Sequence, residues 1–156
     1  RIISSTWILN ISKKCSLSLK RTNINGITKG SINKGLVIFI GFADSDTFEK
    51  IEWVVKKIAK LRIFTDQERK MNNSVEDVQG ELLIISQFTL YTSVKKGTRP
   101  SFIEAAEPIL AENLYNYFIE YARKQTTLNI ETGSFGADMK VELTNDGPVT
   151  ILVEKE

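Results

Sequence analysis

The sequence contains no histidine, one cysteine and three prolines in 156 residues. Without an imidazole there is no Ser-His-Asp or Cys-His triad, no HExxH zinc site and no histidine general base. A single thiol, Cys15, rules out an internal disulfide and a cysteine-based zinc site. It also lacks any histidine to activate it, although Lys13 and Lys14 stand beside it, so a small packing residue is the plainer reading. No apolar run approaches the ~20 residues needed to cross a bilayer. Arg1 to Leu9 is too short and too polar for a signal peptide. These absences predict a reduced, intracellular, cytoplasmic setting with no membrane partner. The chain begins at Arg1 rather than Met, which fits a processed or trimmed N-terminus.

The apolar share is 42% and the charged share 26% in a mass of 17.6 kDa. That is the composition of a folded protein, and it predicts a single domain over residues 1–156. A chain of this size buries roughly 70% of the surface of its unfolded form, enough for a core without staples. Net charge is +2, but it is unevenly spread. Seven basic residues and no acid precede Asp44. A one-signed segment attracts a polyanion through counterion release; solvated lysines on strand faces explain it equally well. There is no dense basic run of the kind a recognition helix carries into duplex DNA, so no DNA partner is expected.

Residues 7–21 hold β-prone pieces, with Leu17 and Leu19 alternating against Ser16, Ser18 and Lys20. Asn25-Gly26 is a hairpin signal. Leu36 to Phe42 is a continuous apolar run and reads as a central strand. Ser45 to Arg62 reads as a helix, with Asp46 and Glu49 as a capping box. Phe48, Ile51, Val54, Val55, Ile58 and Leu61 fall on one face at helical spacing. A polar loop follows from Thr65 to Gly80, then a buried strand from Glu81 to Phe88 and a loop from Lys95 to Pro100. A second helix runs from Pro108 to Gln125, with Leu110, Leu114, Tyr117, Phe118 and Tyr121 as its buried stripe. Asp138 to Leu143 and Val149 to Val153 read as strands, separated by a tight turn at Asn145-Asp146-Gly147-Pro148. No regular βαβ alternation is visible. The fold class predicted is α+β: mixed or largely antiparallel, barrel-like sheets with two main helices packed on them.

Two segments set polar residues hard against apolar strands. Ser86-Gln87-Phe88-Thr89 closes the run ELLIISQF, where a strand end can hold side chains and free N–H groups rigidly at a pocket mouth. A strand running out into a loop is the plainer account. The second is Asn145-Asp146-Gly147-Pro148-Val149-Thr150, where glycine allows close backbone approach and Gly-Pro has access to the cis form. A plain turn accounts for that pattern too. Asp138, Glu142 and Asp146 are acids of the kind that hold Mg²⁺, but no spacing requires a metal, and no cofactor is called for. Phe135, Tyr115 and Tyr117 read as core rather than as base-stacking platforms.

Taken in order, several short motifs resemble one family. They are Lys34-Gly35-Leu36, Arg62-Ile63-Phe64-Thr65-Asp66, Lys70-Met71-Asn72, Ser86-Gln87-Phe88-Thr89-Leu90 and Arg99-Pro100-Ser101-Phe102. Thr132-Gly133-Ser134-Phe135-Gly136-Ala137-Asp138-Met139 and Asn145-Asp146-Gly147-Pro148-Val149-Thr150 follow near the C-terminus. From about Ser5 to Val153 the chain resembles the D-aminoacyl-tRNA deacylases, formerly called D-tyrosyl-tRNA deacylases. Each motif is weak alone; two signatures at the right separation are strong.

The resemblance implies a homodimer that hydrolyses the ester between a D-amino acid and the 3′-terminal adenosine of tRNA, with glycyl-tRNA as a further substrate. Mapped by motif, Ser86, Gln87, Phe88 and Thr89 line the aminoacyl site. Gly147 and Pro148, as a cis pair, reach into the partner's pocket and crowd an L side chain. Phe135, Gly136, Ala137 and Met139 shape the adenosine site. An aminoacyl ester is already activated, so a placed water and a stabilised oxyanion suffice. Backbone N–H groups near Phe88 and Thr89 would supply the oxyanion site, and the ribose 2′-OH would position the water. Thr89 has no side-chain base to make it a nucleophile. One departure stands out: Asn10-Ile11 occupies the place of the family's usual Gln-Arg, whose arginine helps hold the Gly-Pro loop. A non-catalytic RNA-binding module on the same scaffold is the alternative.

Overall fold

The computed structural model describes residues 6–19 and 27–155; within them the side chains at 6–7, 9–19, 27 and 147–148 lie outside the described residues, and so does the expected cis pair Gly147-Pro148. The hairpin signal at Asn25-Gly26 also lies outside them. The elements on either side, β1 (Thr6–Leu19) and β2 (Ile27–Ile32), pair antiparallel. β3 (Gly35–Ile40) continues along the same edge of β1: Cys15 faces Ile32 and Ser12 faces Gly35, so β2 and β3 act as one long partner broken at Asn33-Lys34.

From β3 the chain changes character. α1 (Phe48–Lys60) crosses over to β6 (Glu81–Ser86), which lies parallel to β3. α2 (Pro108–Gln125) then crosses over to β7 (Ile130–Thr132), parallel to β6. Two consecutive βαβ units therefore form half of the sheet, a pairing the sequence pattern left hidden. β8 (Met139–Glu154) runs antiparallel along the free edge of β1. The result is the mixed sheet with two helices that the sequence predicted, in the order β2-β1-β3-β6-β7 with β8 on β1. Gly30 of β2 comes against Glu131 and Thr132 of β7. Among the described residues no ladder joins β7 to β2, so the barrel-like part of the expectation is not confirmed.

The expected polar loop 65–80 holds a small hairpin, β4 (Phe64–Thr65) with β5 (Met71–Asn73). Asp66 stitches it by accepting from the N–H groups of Glu68 (2.8 Å) and Lys70 (2.9 Å) and from the Asn72 amide. Arg62 clasps Asn72 through both its carbonyl and its side-chain oxygen. Such a turn is written in short-range polar bonds rather than in hydrophobic alternation, which is why periodicity misses it.

The first helix starts later than predicted. Thr47, not Asp46, caps it by accepting from the Lys50 N–H at 3.5 Å. Asp46 is buried and turned back to accept the Ala43 N–H at 3.0 Å. Phe48 is 51% exposed and lies on the Tyr117 ring at 4.3 Å instead of in the core. Ile51, Val54, Val55 and Ile58 are buried as expected. On α2 the predicted Leu114 and Phe118 are buried, but Tyr115 and Ile119 take the places expected for Tyr117 and Tyr121. The reason is that α2 touches both the sheet and α1. Its tyrosine flank meets α1, where the Tyr117 hydroxyl donates to Glu52 at 2.8 Å.

The predicted tight turn at 145–148 is a wide bulge in one strand. β8 goes from Asn145 to Thr150 while β1 goes only from Ser12 to Asn10. The Asn145 amide donates to the Thr150 hydroxyl at 3.2 Å and clasps the base of this excursion. Ile11 lies opposite it in register. A turn signal in sequence cannot tell a strand end from a bulge, because both need the same backbone freedom.

Candidate functional site

A cavity of about 620 Å³ opens at the carboxyl ends of β6 and β7. Open parallel sheets place their ligand crevices at that end, and the size suits a ligand of a few rings. Ser86, Gln87 and Phe88 form one wall where β6 ends; Phe135, Gly136 and Ala137 form a second where β7 ends; Met139 follows at the start of β8. Two segments some fifty positions apart in the chain meet because the strands that carry them are hydrogen-bonded neighbours, Ile84 beside Thr132.

The first wall is a 3₁₀ turn, Phe88–Tyr91, entered from Gln87. The Gln87 N–H donates to Ile40 O at 2.8 Å, and Gln87 O accepts the Leu90 N–H at 3.2 Å. The first N–H groups of the turn, on Phe88 and Thr89, take no backbone partner among the described residues. The Gln87 side-chain amide donates to the Thr89 hydroxyl, and Thr89 is outside the cavity lining. The expected strand end at Phe88 is thus a strand to Ser86 followed by this turn.

The second wall is a tight turn from Ser134 to Ala137, closed by the Ala137 N–H on Ser134 O at 3.2 Å. Gly136 sits at φ +69°, which the third position of a type II turn demands and which L side chains resist. Tyr115 supports both walls from behind. Its ring lies 5.8 Å from that of Phe135, and its hydroxyl donates to Ile84 O at 2.9 Å. The same carbonyl accepts the Gly133 N–H at 2.9 Å. Burial pushes the Tyr115 phenol up to about 12, so it stays protonated as a donor.

Sequence reasoning missed the third wall. Phe102, Ala105, Ala106, Glu107, Pro108 and Ala111 close the cavity from the start of α2. The Ala106 N–H donates to Phe42 O at 2.8 Å and the Glu107 N–H to the Asp44 carboxylate at 3.2 Å, which pins this segment over the end of β3. Phe102 meets Phe88 edge to face at 5.2 Å. The motif Arg99-Pro100-Ser101-Phe102 carried a signal, but nothing local said where it pointed. Among the lining residues the carboxylates are Glu107 and Asp138, with no lysine or arginine. Of the candidate magnesium ligands, Glu142 is paired with Lys140 at 2.9 Å, which holds its carboxyl below the usual range. Among the described residues no three carboxylate or thiol groups converge as a metal site would need.

The model of the D-Tyr-tRNA(Tyr) deacylase family matches residues 13–154. The chain belongs to this family. The D-aminoacyl-tRNA deacylase of Fusobacterium nucleatum subsp. nucleatum is 52% identical over 134 residues, covering 86% of this chain and 88% of that protein. The Bacillus cereus (strain B4264) D-aminoacyl-tRNA deacylase is 48% identical over 149 residues, covering 96% and 98%. A solved structure described as the c-Myc DNA Unwinding Element Binding Protein superposes with a TM-score of 0.88 at 37% identity, over 97% of this chain and 99% of that one. The deacylase family is a hydrolase family, and this member carries its fold. Among the described residues no helix is long and apolar enough to cross a membrane.

Proposed function

We propose that the chain, as one domain, hydrolyses the ester of D-aminoacyl-tRNA in the cytoplasm, releasing the free D-amino acid and tRNA without a cofactor. The observation that carries this reading is the meeting of Ser86, Gln87 and Phe88 with Phe135, Gly136, Ala137 and Met139 around one cavity. The cavity takes the terminal adenosine against the Phe135–Met139 wall and the aminoacyl group against the Ser86–Phe88 wall. Water attacks the ester carbonyl, and the tetrahedral oxyanion is held by the N–H group of Phe88, which lines the cavity. Its freedom from a backbone partner among the described residues supports that role. The ribose 2′-OH positions the water. Thr89 is no nucleophile: its hydroxyl is engaged by Gln87 and stands outside the cavity lining.

Glu107 and Asp138 favour the ammonium group of an aminoacyl ester and repel the carboxylate of the product. Chirality is read by a second copy of this chain. In a homodimer, the excursion of β8 at Gly147 and Pro148 enters the partner's cavity, where its carbonyls clash with an L side chain. Glycine, with no side chain, passes the same filter, so glycyl-tRNA is a substrate. The wide bulge, clasped by Asn145 and Thr150, supports a projecting loop.

The test is turnover. D-tyrosyl-tRNA and L-tyrosyl-tRNA are incubated with the protein and free tyrosine is followed. Loss of the D ester alone is expected. Binding of both esters without release would mean an RNA-binding module on a deacylase scaffold.

A further inference from the structure

The segment between the first and third walls of the cavity has no role in the chemistry above. Ser93 and Ser101 are joined by a two-way backbone bridge, N–H to O at 2.8 and 2.9 Å. The bridge closes a loop, 94–100, whose residues are all exposed. Lys95, Lys96 and Arg99 sit within it, and no acid occurs between Glu81 and Glu104. Gly97, at φ +66°, has no atom within 4 Å of where a Cβ would stand, so the tip projects into open space. Among the described residues none of the three cations makes an ion pair. One stem leads straight into the cavity wall, since Ser101 is followed by Phe102, which touches Phe88 at 5.2 Å. Phe102, next to Ser101, lines the cavity, and a three-residue arm spans at most about 10 Å, which keeps the cations within that reach of the bridge beside this wall.

The other cationic groove, on α1, differs. There Lys56 faces Glu52 at 3.9 Å, Lys57 and Lys155 lie over the Trp53 ring, and Arg62 is held by Asn72. Of the cations lining that groove, Lys56, Lys57 and Arg62 already have partners in the fold, which leaves Lys60 without an ion pair among the described residues. Three cations on one bridged loop, without an ion pair among the described residues, concentrate positive potential there, and a phosphate chain is the partner that matches it.

Resting on the reading of the cavity as an aminoacyl-adenosine site, we infer that the Ser93–Ser101 loop is a phosphate clamp: Lys95, Lys96 and Arg99 grip the backbone phosphates of the RNA strand just before its terminal nucleotide. The clamp sets the affinity for tRNA and leaves the ester chemistry to the cavity.

The experiment compares two substrates, D-tyrosyl-tRNA and the phosphate-free ester D-tyrosyl-adenosine, for the wild type and the triple variant Lys95→Gln, Lys96→Gln, Arg99→Gln. Three phosphate contacts on a single strand give a slope of roughly −2 in log(kcat/KM) against log[salt]. Between 50 and 200 mM salt the wild type therefore loses about 20-fold more kcat/KM on tRNA than the triple variant does. The loss appears in KM, and the adenosine ester is cleaved at the wild-type rate. Lys95→Arg with Lys96→Arg keeps the wild-type slope, which separates charge from loop structure. Equal slopes for wild type and triple variant would overturn the clamp, as would an equal loss on both esters. If the wild type cleaved neither ester, the deacylase reading itself would fall. Salt-dependent binding of uncharged tRNA by the two proteins would then still decide the clamp.

Discussion

Gly41→Ala tests how the first wall is held. Gly41 follows β3 and lies beneath the turn after β6. An added Cβ would stand 3.0 Å from Gln87 O, 3.1 Å from Tyr91 Cδ2 and 3.2 Å from Leu90 Cβ. One of these is a backbone atom, so no rotamer change relieves it, and the 87–91 turn must move by a few tenths of an ångström. Overpacking of this kind costs about 1–3 kcal/mol. Alanine restricts the unfolded chain and returns about 0.4–1 kcal/mol. A net loss of about 1–2 kcal/mol is expected, which lowers the urea midpoint by roughly 0.5–1 M for an m-value near 2 kcal/mol/M. The functional effect is separate. A 1 Å misplacement of reacting groups costs about 100-fold in rate, so a shift of a few tenths costs roughly 3- to 10-fold. Urea unfolding followed by fluorescence and single-turnover cleavage of D-tyrosyl-tRNA at saturating enzyme read the two effects independently. Wild-type values in both would refute the claim that Gly41 sets the position of Gln87 and Phe88.

Tyr115→Phe removes a buried donor but leaves Ile84 O with its Gly133 N–H, so the acceptor is not orphaned. The cost is about 0.5–1.5 kcal/mol by denaturant unfolding; a loss above about 3 kcal/mol would show that the hydroxyl holds more than one carbonyl. Thr89→Ala retains most D-ester hydrolysis, because the main-chain donors remain, and a loss equal to that of an inactive protein would make the hydroxyl part of the chemistry. Hydrogen bonds from the Asn72 side chain and the Lys70 N–H hold the Asp66 carboxyl below its ordinary value of 3.8. Its folded form favours the charged state, so the stabilisation is fully present above that value and fades as pH falls through the lower, folded one. Asp66→Asn flattens the acid limb of a stability-against-pH curve below pH 4; an unchanged limb would assign acid sensitivity elsewhere.

The sequence by itself determined the strands and helices with strong periodicity. Leu36 to Phe42 and ELLIISQF are long apolar runs, and Ile51, Val54, Val55 and Ile58 keep one face of a helix. The short motifs also marked the family and both main walls of the cavity, because strand ends and glycine turns leave local signatures. Only the tertiary structure decided that β6 and β7 are parallel neighbours, which brings Ser86 and Phe135 to one mouth. Only it showed that Glu107 and Phe102 close that mouth, and that 145–150 is a bulge rather than a turn. The physical reason is range. Periodicity and turn chemistry act over a few residues, whereas strand order and the pinning of Ala106 on Phe42 depend on which buried surfaces find each other across the fold.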